Sequence, residues 1–82
     1  THVQYNLGLL YYWKKDYDNA LVYFSKIYTK YPKSSWASKC LLYIARSFKG
    51  SKKNAEAKAT YEELIAKYPT SSSAKKAKEE NK

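Results

Sequence analysis

The chain has 82 residues, which suits a single domain with a small core, and its 16 basic and 7 acidic residues give a formal charge of +9. Arg46 is its one arginine, which argues against a sequence-specific nucleic-acid reader, because such proteins use arginine for bidentate contacts to bases and phosphates. The one cysteine, Cys40, excludes an internal disulfide, and no apolar run reaches the length of a membrane-spanning helix.

The first helix is predicted near the start of the chain, where Leu7, Leu10 and Tyr11 recur at helical spacing and predict a buried stripe. After the polar residues KKDYD, a longer apolar stripe predicts the second helix; it consists of Tyr17, Ala20, Leu21, Phe24, Ile27, Tyr28 and Tyr31. Pro32 lacks an amide hydrogen and disfavours helix at the residue before it, so we expect the second helix to end at Tyr31.

The next two helices repeat this arrangement. Their apolar stripes consist of Ala37, Cys40, Leu41, Ile44, Ala45 and Phe48, and then of Ala57, Tyr61, Leu64, Ile65 and Tyr68. The polar residues KGSKKN separate these stripes, and we expect Gly50 to end the third helix in a left-handed turn. Pro69 is predicted to end the fourth helix at Tyr68. Because Cys40 lies on a stripe, we interpret it as a small core residue rather than a reactive thiol.

The phrase KYPxSS occurs at both prolines and predicts a joint between two copies of one unit. Ser34 or Ser35 in the first joint, and Ser71 or Ser72 in the second, are expected to cap the following helix by accepting a hydrogen bond from a free backbone amide. A shift of 37 positions superposes the two joints and pairs residues of similar shape in both copies: Leu7 with Ile44, Gly8 with Ala45, Tyr11 with Phe48, Ala20 with Ala57, Phe24 with Tyr61, and Ile27 with Leu64. A period of this length indicates an all-α solenoid of two helical hairpins.

Small residues mark the predicted close contacts between the two helices of each hairpin. They are Gly8 and Ala20 in the first hairpin, and Ala45 and Ala57 in the second. The large residues beside them, Tyr11 with Phe24 and Phe48 with Tyr61, are expected to fill the remaining space.

The last helix is predicted to be a solubilising cap, because Ala74 and Ala77 are its only apolar positions. Asn81 stands 37 positions after Ile44, so a third hairpin would lack its large apolar residue. We therefore place repeat 1 at about 1–33, repeat 2 at about 34–70 and the capping helix at about 71–82 of one domain.

The two ends of the chain differ in character. The start has no polar cap, so we expect further segments before Thr1, whereas the end near Lys82 is expected to be close to natural. Two repeats are fewer than the roughly three that independent stability requires, which makes self-association through the face before Thr1 a possible consequence.

At these positions the chain resembles the tetratricopeptide repeat (TPR). The first copy matches the family pattern at Leu7, Gly8, Tyr11, Ala20, Phe24, Ile27 and Pro32, and the second at Ile44, Ala45, Phe48, Ala57, Tyr61, Leu64 and Pro69. Two departures are Gln4, where the family has a large residue, and the period of 37 in place of the family's usual length of about 34 residues.

The longer period, the KYPxS joint and the polar last helix are similar to a narrower group, the C-terminal repeat domains of the periplasmic Tol-Pal-associated proteins that coordinate cell division. Outer-membrane assembly lipoproteins with these repeats share the joint, so they remain an alternative. Either resemblance implies a right-handed solenoid that acts as a non-catalytic protein-binding scaffold in the periplasm or cell envelope of a bacterium.

The resemblance also implies where a partner binds, because the first helix of each TPR hairpin lines the concave face of the solenoid. The positions off the core stripes are Tyr5, Leu9, Tyr12 and Trp13 in the first hairpin, and Lys39, Leu42, Tyr43, Arg46 and Lys49 in the second. Aromatic rings give large contact areas at little entropic cost, and the cations can hold acidic groups. The expected partner is therefore a protein or peptide segment with apolar and acidic residues. A preceding repeat that covers Tyr5 and Tyr12 is the competing interpretation.

Neither catalysis nor metal binding is indicated. His2 lies at the start of the chain, far in sequence from Cys40, while Glu62 and Glu63 are adjacent on a helix and do not face each other. We therefore expect no enzyme, no metal and no cofactor. The remaining lysines are interpreted as a solvated face, especially Lys52, Lys53, Lys58, Lys75, Lys76 and Lys78. The alternative of another class is a lysine-rich module that contacts anionic lipid without spanning the membrane, or, less expected, nucleic acid.

Overall fold

The computed structural model describes the backbone of residues 2–81 and the side chains of residues 3–81. The described chain forms five helices and no strand: α1 (His2–Trp13), α2 (Tyr17–Lys30), α3 (Ser35–Gly50), α4 (Asn54–Lys67) and α5 (Ser72–Glu80). This confirms the predicted all-α solenoid of helical hairpins. Thr1, Lys82 and the side chain of His2 lie outside the described residues. Among residues 2–81, no helix is both long and apolar enough to cross a membrane.

The two KYPxSS joints adopt nearly the same backbone conformation. The last residue before each proline leaves the helical region, with φ −128° and ψ 59° at Tyr31 and φ −131° and ψ 58° at Tyr68. The predicted serine cap is confirmed at α5, where Ser71 Oγ accepts a hydrogen bond of 3.0 Å from the Ala74 amide. Ser34 occupies the corresponding position before α3. Both hydroxyls donate to the carbonyl three residues back, Ser34 to Tyr31 at 2.9 Å and Ser71 to Tyr68 at 2.8 Å, but Ser34 accepts no capping hydrogen bond. Proline therefore ends both helices, whereas the serine side chain caps only the second.

The turn inside each hairpin is left-handed at a lysine. Lys15 has φ 63° and Lys52 has φ 64°, and these residues are 37 positions apart. In both turns the lysine amide donates to a carbonyl three residues back and the next amide donates to one five residues back, which is the Schellman motif. The prediction that Gly50 takes the left-handed conformation was wrong, since it has no positive φ. Gly50 instead lies against the Tyr17 ring, where a Cβ would come within 2.7 Å of the tyrosine hydroxyl.

The core lies between the helices of each hairpin, with α3 at the centre because it packs against the other four helices. Of the repeat positions predicted from the sequence, Gly8, Ala20, Phe24, Ile27, Ile44, Ala45, Ala57, Tyr61 and Leu64 are buried, Leu7, Tyr11 and Phe48 are half-buried, and Pro32 and Pro69 are exposed. A Cβ on Gly8 would lie 2.8 Å from the Phe24 ring, which accounts for the glycine at that contact. Tyr11 stacks on Tyr23 with ring centroids 5.5 Å apart.

The predicted buried stripe of α1 was wrong in part, because Leu10 is 48% exposed. Tyr5, Leu9 and Tyr12 turn toward the core instead, where they pack against the buried cluster. The exposed side of α1 and α2 consequently carries apolar side chains, with Val3 71% and Val22 48% exposed.

Candidate functional site

An aromatic ridge runs along the face that α1 and α3 share. Its members are Trp36, Tyr5, Tyr43 and Tyr12, and we call these four residues the aromatic ridge. The Tyr5 ring lies 4.7 Å from the Trp36 ring and 6.1 Å from the Tyr43 ring, while Tyr43 and Tyr12 are 5.2 Å apart, all measured between centroids. All four side chains are partly exposed. The ridge is therefore continuous across the two hairpins and has a solvent-facing edge.

Two cations lie on the rings of the ridge. Lys39 Nζ is 5.0 Å from the centroid of Trp36, and Arg46 Cζ is 5.2 Å from that of Tyr43. Lys49 follows them on α3 and is exposed. The quadrupole of an aromatic ring attracts a cation over its face, so the Lys39 and Arg46 side chains stay beside the rings rather than extend into solvent. The face combines apolar contact area with positive charge.

Leu42 does not belong to this face, so its assignment as a partner-binding residue is corrected. It is only 3% exposed. The reason is its helical phase: Ser38 four residues before it and Ala45 three residues after it are both buried, so Leu42 lies on the core side of α3. Leu9 is half-buried against the core, whereas Trp13 is 70% exposed at the end of α1. The structure brings together Tyr5, Tyr12, Lys39, Tyr43, Arg46 and Lys49, and partner binding by these residues stays a prediction.

Arg46 is not a free cation, because α5 places a carboxylate on it. Its Nη2 donates to Glu80 Oε2 at 2.6 Å and its Nε donates to both carboxylate oxygens at 3.1 Å. The Tyr61 hydroxyl donates to Glu80 Oε1 at 2.8 Å. Both charged side chains are 26% exposed. Burial opposes ionisation of Glu80, but the hydrogen bonds from Arg46 and Tyr61 outweigh it and lower the pKa of this carboxyl below its ordinary value.

A recess surrounds this ion pair at one end of the aromatic ridge. It is lined by Tyr12, Tyr17, Arg46, Lys49, Gly50, Tyr61 and Glu80. Tyr17 contacts Tyr12 with ring centroids 5.9 Å apart, so the aromatic surface continues from the ridge into the recess. The recess therefore offers rings on one side and hydrogen-bond donors to a carboxylate on the other.

Trp36, Tyr17 and Glu80 also belong to this region, although they were not predicted from the sequence. Two of them carried a usable signal. Trp36 lies three residues before Lys39 and seven before Tyr43, so it shares their helical stripe. Glu80 lies 37 positions after Tyr43, and the same shift that relates the two repeats puts it on the same face of the solenoid. Tyr17 was assigned to the core stripe of α2, and its place beside Tyr12 follows only from the crossing of α1 and α2.

The other candidate groups in the described part of the chain are the Cys40 thiol, the Tyr5 hydroxyl and the metal-ligating side chains. Cys40 is fully buried, and burial raises the pKa of its thiol to about 12, which disfavours the nucleophilic thiolate. Burial and, secondarily, Tyr43 raise the pKa of Tyr5 to about 12 as well. Among residues 3–81, no group of three His, Cys, Asp or Glu side chains is placed to hold a metal ion.

The geometry of two similar hairpins agrees with comparisons to known protein families. A family model described as tetratricopeptide repeat matches residues 2–34 and again residues 39–71, so the two matches are displaced by 37 positions like the two joints. No curated protein matches the chain. Since the two family matches together cover more than half of its length, the chain belongs to the tetratricopeptide repeat family.

Proposed function

We propose that this chain is a non-catalytic scaffold that binds a segment of a partner protein along the face shared by α1 and α3. TPR repeats generally mediate protein–protein interaction, and the proteins that contain them are typically non-catalytic. The observation that carries the proposal is the aromatic ridge with Lys39 and Arg46 on its rings. Rigid rings bury large areas at low entropic cost, which is what a recognition surface requires.

The partner segment is expected to carry apolar and acidic residues. Apolar side chains fit the exposed edges of the ridge and Trp13, while carboxylates fit the cations beside it. The net charge of +9 adds a long-range attraction for acidic segments and repels basic ones. Either an extended or a helical segment could follow the ridge.

We place this scaffold in a bacterial cell envelope, in the periplasm, and nearest in role to the Tol-Pal-associated proteins of cell division. The support for this setting is the resemblance of the 37-residue period, the KYPxS joint and the polar α5 to that group. An outer-membrane assembly lipoprotein has the same joint, so identification of the partner separates the two settings.

We further propose that the chain associates with itself through its N-terminal face, the exposed side of α1 and α2. Val3, Leu10 and Val22 are exposed there, and α1 contains no Asp, Glu, Lys or Arg in a chain of net charge +9. Two α1 helices can therefore come together without repulsion between like charges on those helices. Sedimentation equilibrium tests this: the parent is expected to show a dimer that Leu10→Lys abolishes, and a parent that stays monomeric at high concentration would refute it.

The test of the groove is partner capture with two matched charge reversals. Lys39 and Lys26 are both exposed and both lie over an aromatic ring, Trp36 and Tyr23 respectively, but only Lys39 adjoins the ridge. The immobilised chain, Lys39→Glu and Lys26→Glu are exposed to bacterial envelope and cytosolic extracts at low and physiological salt, and retained proteins are identified by mass spectrometry.

The proposal predicts an envelope protein that the parent and Lys26→Glu retain at physiological salt and that Lys39→Glu loses. Trp13→Ala is expected to weaken capture without changing the charge. If both reversals reduce binding equally, or if only lipid or nucleic acid is recovered and only at low salt, charge alone carries the interaction and the groove assignment is wrong.

A further inference from the structure

The cationic end of the groove already holds a carboxylate, and the carboxylate belongs to the same chain. Glu80 accepts hydrogen bonds from Arg46 Nε and Nη2 and from the Tyr61 hydroxyl, so donors from two different helices converge on it. Lys49 adds a further favourable charge nearby. Bidentate contact between a guanidinium and a carboxylate is the usual geometry for recognising an acidic group. The structure therefore displays a formed carboxylate site.

Glu80 can leave this site while α5 stays in place. The buried residues of α5 are Ser73, Ala74 and Ala77, all of which precede Glu80 by at least three positions. Beyond Ala77, Lys78 and Glu79 are exposed, so Glu80 makes the tertiary polar contacts of the last turn. Terminal helical turns fray at little cost. Negative charge near a helix C-terminus also opposes the helix dipole, which further weakens this turn.

We propose that Arg46, Tyr61 and Lys49 form a carboxylate-binding subsite of the groove, that Glu80 fills it in the free protein, and that an acidic side chain of the bound partner segment displaces Glu80. This inference rests on the proposed function. An acidic residue that enters the site meets the same three groups and has the rings of Tyr12 and Tyr17 beside it. A partner without a carboxylate at that position leaves Glu80 in place and gains nothing from Arg46.

The internal carboxylate sets how tightly an acidic partner binds. Exchange of one carboxylate for another conserves the hydrogen bonds, so the partner must only compete with a group that is tethered nearby. If Arg46 is free of Glu80 in about a tenth of the molecules, the apparent affinity is lowered about tenfold, and removing the Glu80 charge restores it. The terminal helix would then select partners by their acidity, since a weakly acidic segment cannot displace it.

The test compares Glu80→Gln with Glu79→Gln, which removes the same charge one residue away from an exposed side chain. The probe is a short fluorescein-labelled peptide of alternating Glu and Leu, with alternating Gln and Leu as the neutral counterpart, and fluorescence anisotropy gives the dissociation constants. Glu80→Gln is expected to bind the acidic peptide about tenfold more tightly than the parent. Glu79→Gln is expected to remain within about twofold of the parent, because Glu79 makes no contact with Arg46. The neutral peptide should gain nothing from either change.

NMR spectra of the same variants report whether α5 stays docked, through the methyl resonances of the buried Ala74 and Ala77. If Glu80→Gln releases α5, the comparison moves to Glu80→Asp, which keeps the charge but shortens its reach to Arg46 and should give an intermediate gain. Equal binding by Glu80→Gln and Glu79→Gln, weaker binding by Glu80→Gln, or no binding of the acidic peptide by Glu80→Gln would each overturn the subsite.

Failure of this inference is separable from failure of the proposed function. If Glu80→Gln matches Glu79→Gln while Lys39→Glu still loses the captured partner, the groove binds its partner but Glu80 does not compete. If Lys39→Glu and Lys26→Glu behave alike in partner capture, the proposed function itself fails, whatever the result with the peptides.

Discussion

Substitution of Gly8 by alanine sets helix propensity against packing, and the structure decides between them. Glycine inside a helix costs about 1 kcal/mol relative to alanine, so an unhindered substitution would stabilise the protein by that amount. The added Cβ, however, would lie 2.8 Å from Cε1 and 2.9 Å from Cζ of Phe24. Phe24 has no exposed surface and cannot swing aside. Overpacking of this kind costs about 1–3 kcal/mol, so we expect a net loss of about 1 kcal/mol.

Gly50→Ala is the matched control. Its Cβ would also contact a ring, but the contact is with the far end of Tyr17, which is only half-buried and can move. We expect Gly50→Ala to be neutral or to stabilise the protein by up to about 1 kcal/mol. Thermal unfolding followed by circular dichroism measures both, and a loss of about 1 kcal/mol lowers Tm by about 4–8 °C in a domain of this size.

The contact can also be tested by relieving it. Phe24→Leu removes ring atoms beside Gly8, so Gly8→Ala should cost less in the Phe24→Leu background than in the parent, and the difference is the coupling between the two sites. A Gly8→Ala protein that unfolds at or above the parent temperature would refute the close packing of α1 on α2.

Three further predictions concern backbone, thiol and hydroxyl groups. Lys52→Gly should raise stability by about 1 kcal/mol in thermal unfolding, because the native φ of 64° is unfavourable for a side chain; a lower Tm would contradict this. Cys40 should react with a thiol reagent only after unfolding, at a rate that rises with added urea in step with unfolding, whereas fast reaction in native buffer would contradict its burial. Burial is the main cause of the raised pKa values of Tyr5, which is about 12, and of Tyr61. Because a tyrosine in the unfolded chain ionises near about pH 10, the free energy of unfolding should keep its full value below about pH 10 and decline as pH rises through the raised values. Absorbance of ionised tyrosine should therefore appear in an early and a late phase, and a single phase near pH 10 would refute the burial of these rings.

The hairpins and joints could be predicted because they depend on local chemistry that occurs twice. Proline removes an amide and restricts the residue before it wherever it stands, so Tyr31 and Tyr68 end their helices with almost the same dihedral angles. The repeated spacing of Ala20 with Phe24, and of Ala57 with Tyr61, marks the buried side of α2 and α4 because their neighbours are polar.

The orientation of α1 could not be predicted in the same way. Residues 7–13 of this helix are apolar except for Gly8, so periodicity alone cannot choose between Leu10 and Leu9 as the buried side. The same ambiguity affects Leu41 and Leu42 in α3, which are adjacent and both buried. In such runs the crossing of neighbouring helices determines the buried face, and the crossing is a tertiary property.

The left-handed turns and the Arg46–Glu80 pair are two other features that the sequence pattern does not predict. Glycine is the usual residue for a left-handed turn, but here the repeat geometry fixes the position, and lysine occupies it at residues 15 and 52. Arg46 and Glu80 are separated by 34 positions, so their contact requires the packing of α5 on α3. Because helical phase shows only that Glu80 shares the groove face, the bidentate geometry had to come from the structure.

Partner binding is proposed to depend on the α1–α3 face rather than on net charge. The most direct test is the dissociation constant of the captured partner for Lys39→Glu and Lys26→Glu at physiological salt. We expect Lys39→Glu to bind about tenfold more weakly than the parent, a difference of about 1.4 kcal/mol, and Lys26→Glu to bind like the parent. Equal weakening by the two substitutions would contradict the claim, because the two proteins carry the same net charge and differ only in where it lies.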